Sequence, residues 1–422
     1  MAALATAGVA ACSDNLESNA ACPTLCPGQS VTLRDTVIDA VIVDSSVAGF
    51  PAIGQESYLL VSTRGDTIDS RAIIRFDSLA TTFARTDSVN VSPIVGVDSA
   101  YLMLRVDTTE RKPGAPITVS VYDVGTGTTD SSATDTAVAV LGPLFNSSRL
   151  LGSRTFAPES LVDSLRIPLS RDSINALIAA NNGVRVGIQV TGSNRAQMRI
   201  GATSVSLPAE IVFKPAPPGD TTGVTPIYMF PYSRTPVNSP LVNDLQDYVI
   251  VLKGTANTTA ALLTVGGLPG HRVYLRFNLP SSIVDSTTVV RATLLLNQVP
   301  NPVSPDPMDS ATVYPEAIVA SSAVTDLTRA LRLVTAAGQL GLDTLERFAP
   351  ADSGLRQFEM VQLVRAWHAD LTVADPRAIA LVSESEGLTP SEFWFTSSAG
   401  PTSLRPKIHL YYTALQTTGI SP

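Results

Sequence analysis

Nucleophilic catalysis asks for a Ser or Cys beside a His base and an orienting acid. This chain has three histidines, His271, His368 and His409, and none sits in such a set. His271 follows a Pro-Gly turn, His368 follows a tryptophan, and His409 falls on the outer side of the last strand pattern. The chain has no Gly-x-Ser-x-Gly elbow, His-Glu-x-x-His pair, phosphate loop or dinucleotide fingerprint. Glycoside hydrolysis needs only two carboxylates at a suitable separation, but 37 acidic residues offer no way to choose a pair. The expectation is a chain that is not an enzyme, with a polysaccharide-active enzyme kept as the second alternative.

Binding chemistry is better represented. A pyranose presents an apolar face that stacks on an exposed aromatic ring, because ring faces accept C–H groups and cations. Phe393 and Phe395 flank Trp394, so period-2 alternation turns Trp394 outward beside Glu392 and Thr396. Ile408, Leu410 and Tyr412 likewise point inward and leave His409 and Tyr411 outside. With Tyr274, Arg272 and Arg276, these residues form the candidate glycan-facing set, unless the 319–350 insertion or the first domain covers that face. Trp367 instead falls on an apolar helical stripe and reads as core. Arg71 with Arg75 and Arg272 with Arg276 recur at one spacing. They could grip an acidic sugar bidentately, but recurrence in both halves favours ion pairs with loop aspartates. For metals, no cofactor is expected beyond a possible structural calcium, with Asp244 and Asp247 as weak ligands lacking EF-hand spacing.

The elements that hold these residues follow from composition. Charged residues are 16% and hydrophobic residues 44% of 422 positions, a mix that suits strands and turns better than long solvated helices. The net charge of −8, without a basic stripe, excludes nucleic acid as an expected partner. No run of 18 apolar residues is present to span a bilayer as a helix.

Residues 1–11 are small and apolar and end in Val9-Ala10-Ala11-Cys12, which resembles the lipobox of bacterial lipoproteins. Cys12 is then the lipidation site, residues 12–30 a tether, and the membrane is reached through the lipid alone. No Lys or Arg precedes the apolar run, so either the start codon lies upstream or the likeness is accidental. Cys22 and Cys26 remain as an even pair that an exported compartment would permit to form a disulfide. Two free thiols are the other reading.

The Pro/Gly-rich stretch at 215–224 reads as a linker between halves 31–214 and 225–414, with a tail at 415–422. The halves echo each other. Arg71 to Asp77 matches Arg272 to Asn278, Ala100 to Leu104 matches Ala292 to Leu296, and Ile117 to Val124 matches Ala311 to Ile318. Closing strands are expected at Ala209 to Phe213 and Lys407 to Tyr412. Ala72, Ile74 and Phe76, like Val273, Leu275, Phe277 and Leu279, share an apolar face, the mark of packed antiparallel sheets. Short helices are expected from Arg171 to about Asn182, capped by Ser170 and ended by Gly183, from Met360 to Trp367, and at about Val324 to Ala337. The fold class is all-β: two tandem antiparallel β-sandwiches, jelly-roll-like, with a few short helices.

The second half resembles the bacterial DNRLRE domain. The likeness rests on the Arg272 to Asn278 and Ala292 to Leu296 strands, Val361 to Trp367, Phe395-Thr396-Ser397-Ser398, and Arg405 to Leu410. Where that family often has a Glu after Phe-x-Ser, this chain has Ser398 and Ala399. The first half matches more weakly. The resemblance implies a carbohydrate-binding-module-like sandwich on a bacterial envelope, in the periplasm, outer membrane or at the surface. It implies polysaccharide or another envelope protein as partner. The alternative is a structural spacer or self-assembling surface protein.

Overall fold

The computed structural model describes residues 32–414, leaving aside 40, 52, 87–89, 108–112, 126–133, 194, 204–206, 220, 232–244, 256–258, 305–307, 320–345 and 370–376. Cys12, Cys22, Cys26, Asp244 and the Val324 to Ala337 helix candidate lie outside the described residues.

The strands of the first half are β1 (Arg34–Ile38), β2 (Val41–Phe50), β3 (Tyr58–Arg64), β4 (Ile68–Phe76), β5 (Thr82–Ala84), β6 (Val91–Pro93), β7 (Val97–Arg105), β8 (Ile117–Asp123), β9 (Leu150–Phe156), β10 (Ser164–Pro168), β11 (Val184–Gly192), β12 (Ala196–Gly201) and β13 (Glu210–Pro215). Those of the second half are β14 (Ile227–Met229), β15 (Asp247–Lys253), β16 (Leu262–Gly266), β17 (Gly270–Phe277), β18 (Thr287–Val299), β19 (Ala311–Val319), β20 (Glu346–Phe348), β21 (Gly354–Glu359), β22 (Arg377–Ser383), β23 (Glu392–Thr396) and β24 (Lys407–Ala414).

The all-β sandwich expectation holds. One sheet runs β12-β3-β4-β11-β8-β9 with β15 on β4, and it faces a second sheet, β10-β7-β13-β14. Ala72, Ile74 and Phe76 point between them with Leu102, Leu104, Val186, Ile188, Ile211 and Phe213. This is the alternation written in the sequence: each strand turns every second side chain to the core. In the second sandwich Val273, Leu275, Phe277 and Leu279 do the same against Leu294, Leu296, Phe393, Phe395, Ile408 and Leu410. Phe348 anchors that core edge-on to Phe393 and Phe395, at centroid distances of 5.3 and 5.7 Å. T-shaped contacts at this range add to the area they bury.

The strand partners do not follow the division expected at 31–214 and 225–414. β1 pairs antiparallel with β24, from Arg34 opposite Tyr412 to Ile38 opposite Ile408. β2 pairs with β17, from Phe50 opposite Gly270 to Val41 opposite Phe277. In return β15 pairs with β4, from Asp247 opposite Ile74 to Lys253 opposite Asp69, and β14 pairs with β13. β2 precedes the β3–β4 hairpin as β15 precedes the β16–β17 hairpin, so each repeat lends its opening strands to the other. The first sandwich is therefore built from β3 to β15. The second is discontinuous, formed by 34–50 together with 262–414. The Pro/Gly stretch at 215–224 is not the divider: Pro215 ends β13, the Ala216 amide donates to the Gly96 carbonyl at 2.8 Å, and the Thr86 amide donates to that of Gly223 at 2.9 Å. The chain passes between sandwiches at 51–57 and 254–261.

Helices are short, as expected. α1 (Thr134–Leu141) precedes β9. α2 (Arg171–Ala179) starts at Ser170, whose Oγ accepts the Ser173 amide at 3.3 Å, and buries Ile174 and Ile178. It stops earlier than expected, because Asn181 takes a left-handed φ of 51°. Gly183 has a different reason to be glycine: a Cβ there would lie 2.3 Å from the Phe76 carbonyl oxygen. α3 (Ser281–Val284) is a single turn. α4 (Val361–Ala369) begins just after the buried Met360 and packs Leu363, Val364 and Trp367 on the second core. Trp367 meets Phe277 at 5.7 Å between centroids, as its helical stripe predicted.

Candidate functional site

The residues expected to line one glycan-facing surface are distributed over three places. Arg272, Tyr274 and Arg276 alternate with core residues on β17 and therefore point away from the second core. That face is closed around them: Tyr274 is 4% and Arg272 8% exposed, and Arg276 is half-buried. Arg272 is held bidentately by Glu386, Nε to Oε1 at 2.8 Å and Nη2 to Oε2 at 2.7 Å. Its guanidinium carbon lies 4.1 Å from the ring centre of Phe50, the last residue of the exchanged strand β2. Burial pushes the Tyr274 hydroxyl up to about 12.

The first repeat builds the same device. Arg71 is bidentate to Asp69 at 2.9 and 2.7 Å and lies 4.6 Å from the Phe145 ring centre. Arg75 pairs with Asp77. Three of the four recurring arginines, Arg71, Arg75 and Arg272, are thus ion-paired within the fold. For Arg272 the partner is a glutamate rather than the expected aspartate.

Trp394 lies on β23 between Thr264 of β16 and Val299 of β18. It is half-buried, and Glu392, Thr396 and Thr264 around it are buried, so it offers no open platform. Burial raises the Glu392 carboxyl to about 7. Its Oε1 lies 4.0 Å from Nδ1 of His271, whose imidazole is held below its ordinary range by burial. The Glu392 Oε1 and the Trp394 indole Nε1 are buried and neither makes a hydrogen bond of normal geometry.

His409 and Tyr411 stack at 4.5 Å on β24, with His409 Nε2 3.5 Å from Asp35 of β1. On β18, His409 is opposite Thr293 while Trp394 is opposite Val299. Six positions at the strand rise put them roughly 20 Å apart along the sheet. Asp247, a candidate calcium ligand, is buried, and its Oδ2 accepts both the amide and the hydroxyl of Thr203 at 2.7 Å. It serves to anchor β15 on the first sandwich. Among the described residues no group of three or more His, Cys, Asp or Glu is arranged to hold a metal.

A more exposed region not singled out from the sequence lies at the β14 edge of the first sandwich. On the β10-β7-β13-β14 sheet, Leu102, Leu104, Ile211 and Phe213 face the core, so Tyr101, Met103, Arg105, Glu210 and Val212 point away from it. Met103 and Val212 are buried on that side too, and exposure is confined to the edge. Tyr101, Val212 and Tyr228 stand in one cross-strand row, and Arg166 lies 5.2 Å from the Tyr101 ring centre. Tyr228 and Phe230 are 52% and 56% exposed, the only exposed aromatic residues among those described. Beside Phe230 a cleft of about 540 Å³ is lined by Arg105, Val106, Asp163, Leu207, Pro208 and Glu210. Arg105 Nη2 stands 3.8 Å from Glu210 Oε1. The alternating Ile227-Tyr228-Met229-Phe230 is the sequence signal for this face, but it sits just beyond a Pro/Gly stretch that reads as linker.

No protein-family model matches the chain, and no curated protein matches it significantly. Among solved structures, the N-terminal CBM22-1–CBM22-2 tandem domain of Paenibacillus barcinonensis Xyn10C is similar at 8% identity and a TM-score of 0.15, over 89% of this chain and 100% of that one. The infectious bursal disease virus VP2 subviral particle is similar at 11% identity and a TM-score of 0.11, over 87% and 79%. Likeness at this level decides neither family nor ligand.

Proposed function

We propose that this chain is an exported, non-catalytic bacterial envelope protein, anchored by lipid on Cys12, whose interlocked sandwiches bind polysaccharide or another envelope protein. One contrast carries the reading. Several buried charged groups are set against partners inside the fold (Arg272 with Glu386, Arg71 with Asp69, Asp247 with Thr203), whereas the exposed aromatics Tyr228 and Phe230 lie together at one sheet edge. Those paired groups are unavailable for acid–base work, and exposed aromatic patches mark binding surfaces. The DNRLRE-like motifs of residues 240–414 support the same assignment.

A second reading, a structural spacer without a small ligand, is favoured by the strand exchange and by the burial of Tyr274. The deciding experiment incubates the purified full chain with insoluble and soluble polysaccharides, measuring retention and released reducing ends. Retention without release supports a binding module. Release of reducing ends overturns the non-catalytic reading, and no retention on any polymer favours the spacer. The anchor is tested separately by labelling with an alkyne fatty acid, which Cys12→Ser is expected to abolish.

A further inference from the structure

We infer that the β14 edge of the β10-β7-β13-β14 sheet, with the cleft beside Phe230, is a binding site for a neutral polysaccharide, with Tyr228 and Phe230 as stacking rings and Arg105, Asp163 and Glu210 as hydroxyl-binding groups. The inference rests on the glycan-binding reading above and gives it a place and a ligand class. Tyr228 lies on β14 and Phe230 one position beyond that strand's end, and both rings are exposed. Water is displaced from both when an apolar face covers them, which favours a ligand with flat C–H surfaces. A purely apolar occupant does not suit the neighbouring cleft, because its lining mixes a guanidinium with two carboxylates.

The ion pair at its edge, Arg105 with Glu210, is loose at 3.8 Å, and the Arg105 side chain is 41% exposed. A loose pair leaves both donor and acceptor capacity unspent: guanidinium N–H groups donate, and carboxylate oxygens accept. A hydroxyl does both, so vicinal hydroxyls can bridge such a pair where a simple anion or cation cannot. The charge balance sets the class further. With two carboxylates to one arginine, the cleft repels a uronic acid or sulfated sugar and accepts a neutral one. Of the arginines that could have favoured an acidic sugar, Arg71, Arg75 and Arg272 are already bound by Asp69, Asp77 and Glu386.

The test compares the full chain with Tyr228→Ala, Phe230→Ala and Trp394→Ala by affinity electrophoresis and pull-down. The neutral polymers are cellulose, xylan, mannan, curdlan and chitin, and the acidic ones are alginate and polygalacturonate. Thermal midpoints of the Tyr228 and Phe230 variants are expected to match the parent, since both side chains are mostly in solvent. Retention on at least one neutral polymer, reduced tenfold or more by Phe230→Ala and by Tyr228→Ala, supports the site. Retention unchanged in both variants overturns the site while leaving the glycan-binding reading standing. Loss in Trp394→Ala alone moves the site to the second sandwich. Retention on acidic polymers alone overturns the ligand class, and retention on none overturns both site and reading.

Discussion

Asp44 and Ser398, 354 positions apart, are joined twice: Asp44 Oδ1 accepts the Ser398 hydroxyl at 2.6 Å and Oδ2 accepts the Ser398 amide at 2.5 Å. Asp44 sits on the exchanged strand β2 and Ser398 in the turn after β23, so the contact fastens the start of the described chain to its last third. Beside it, Ser46 Oγ accepts the Thr264 amide at 2.9 Å. The first sandwich secures its borrowed strand in the same way, with Glu56 Oε1 accepting the Val249 amide at 3.2 Å and Asp247 accepting Thr203. The two bonds to the Asp44 carboxylate are charge-assisted, and such bonds are roughly twice as strong as neutral ones.

Asp44→Ala is expected to lower stability by about 1.5–3 kcal/mol, the usual range for hydrogen bonds to a charged group. Ser398→Ala, which keeps the amide bond, should cost about 1 kcal/mol. Denaturant unfolding monitored by tryptophan fluorescence would show the order, and equal losses would mean that the hydroxyl alone fastens the strand.

A protease site inserted in the 51–57 connector should be cut without releasing the N-terminal piece. β2 is paired along its length with β17, and its removal would expose that strand's edge. Size exclusion after cleavage should keep the 34–50 fragment with the body until denaturant is added. Early release of the fragment would refute the exchanged pairing. A chain lacking residues 1–53 should self-associate through the uncovered edges of β17 and β24.

Glu56 and Glu392 should make stability fall as pH rises from about 4.5 to 7. Burial raises both carboxyls from 4.5 to about 7, so over that window the folded chain holds protons that the unfolded chain has lost. Stability is fully present below pH 4.5 and is lost as pH passes through 7, by roughly 3 kcal/mol for each group. Thermal midpoints at pH 5 and pH 8 would show the slope, and Glu56→Gln with Glu392→Gln should flatten it. A midpoint that rises toward pH 8 would contradict this account.

Gly254 opens the second crossover, and a Cβ there would stand 2.1 Å from the Leu268 carbonyl oxygen. Backbone must move to admit it, so Gly254→Ala should destabilise by about 1–3 kcal/mol. Gly114→Ala meets nothing within 4 Å and serves as the neutral control in the same melts.

The strands, their inward faces and the repeat were legible because side-chain direction along a strand alternates locally. Val273, Leu275 and Phe277, or Ala72, Ile74 and Phe76, assign themselves to a core without reference to any partner. The Trp367 stripe and the Ser170 cap were readable for the same reason. The outward set of Arg272, Tyr274, Trp394, His409 and Tyr411 was correct in orientation. Its assembly into one surface was not, since sharing an outward face says nothing of distance across a curved sheet.

Which edge β2 or β15 would join lay beyond the sequence. The two repeats carry equivalent edges on β4 and β17, and no local pattern distinguishes one copy from the other. Only the three-dimensional path of the chain, with Asp44 on Ser398 and Asp247 on Thr203, settles that choice. Openness was decided at the same level: Tyr228 and Tyr274 are alike in type and both face outward on their strands, yet one is 52% and the other 4% exposed. Alternation belongs to a single strand, whereas pairing and exposure belong to whatever packs against it.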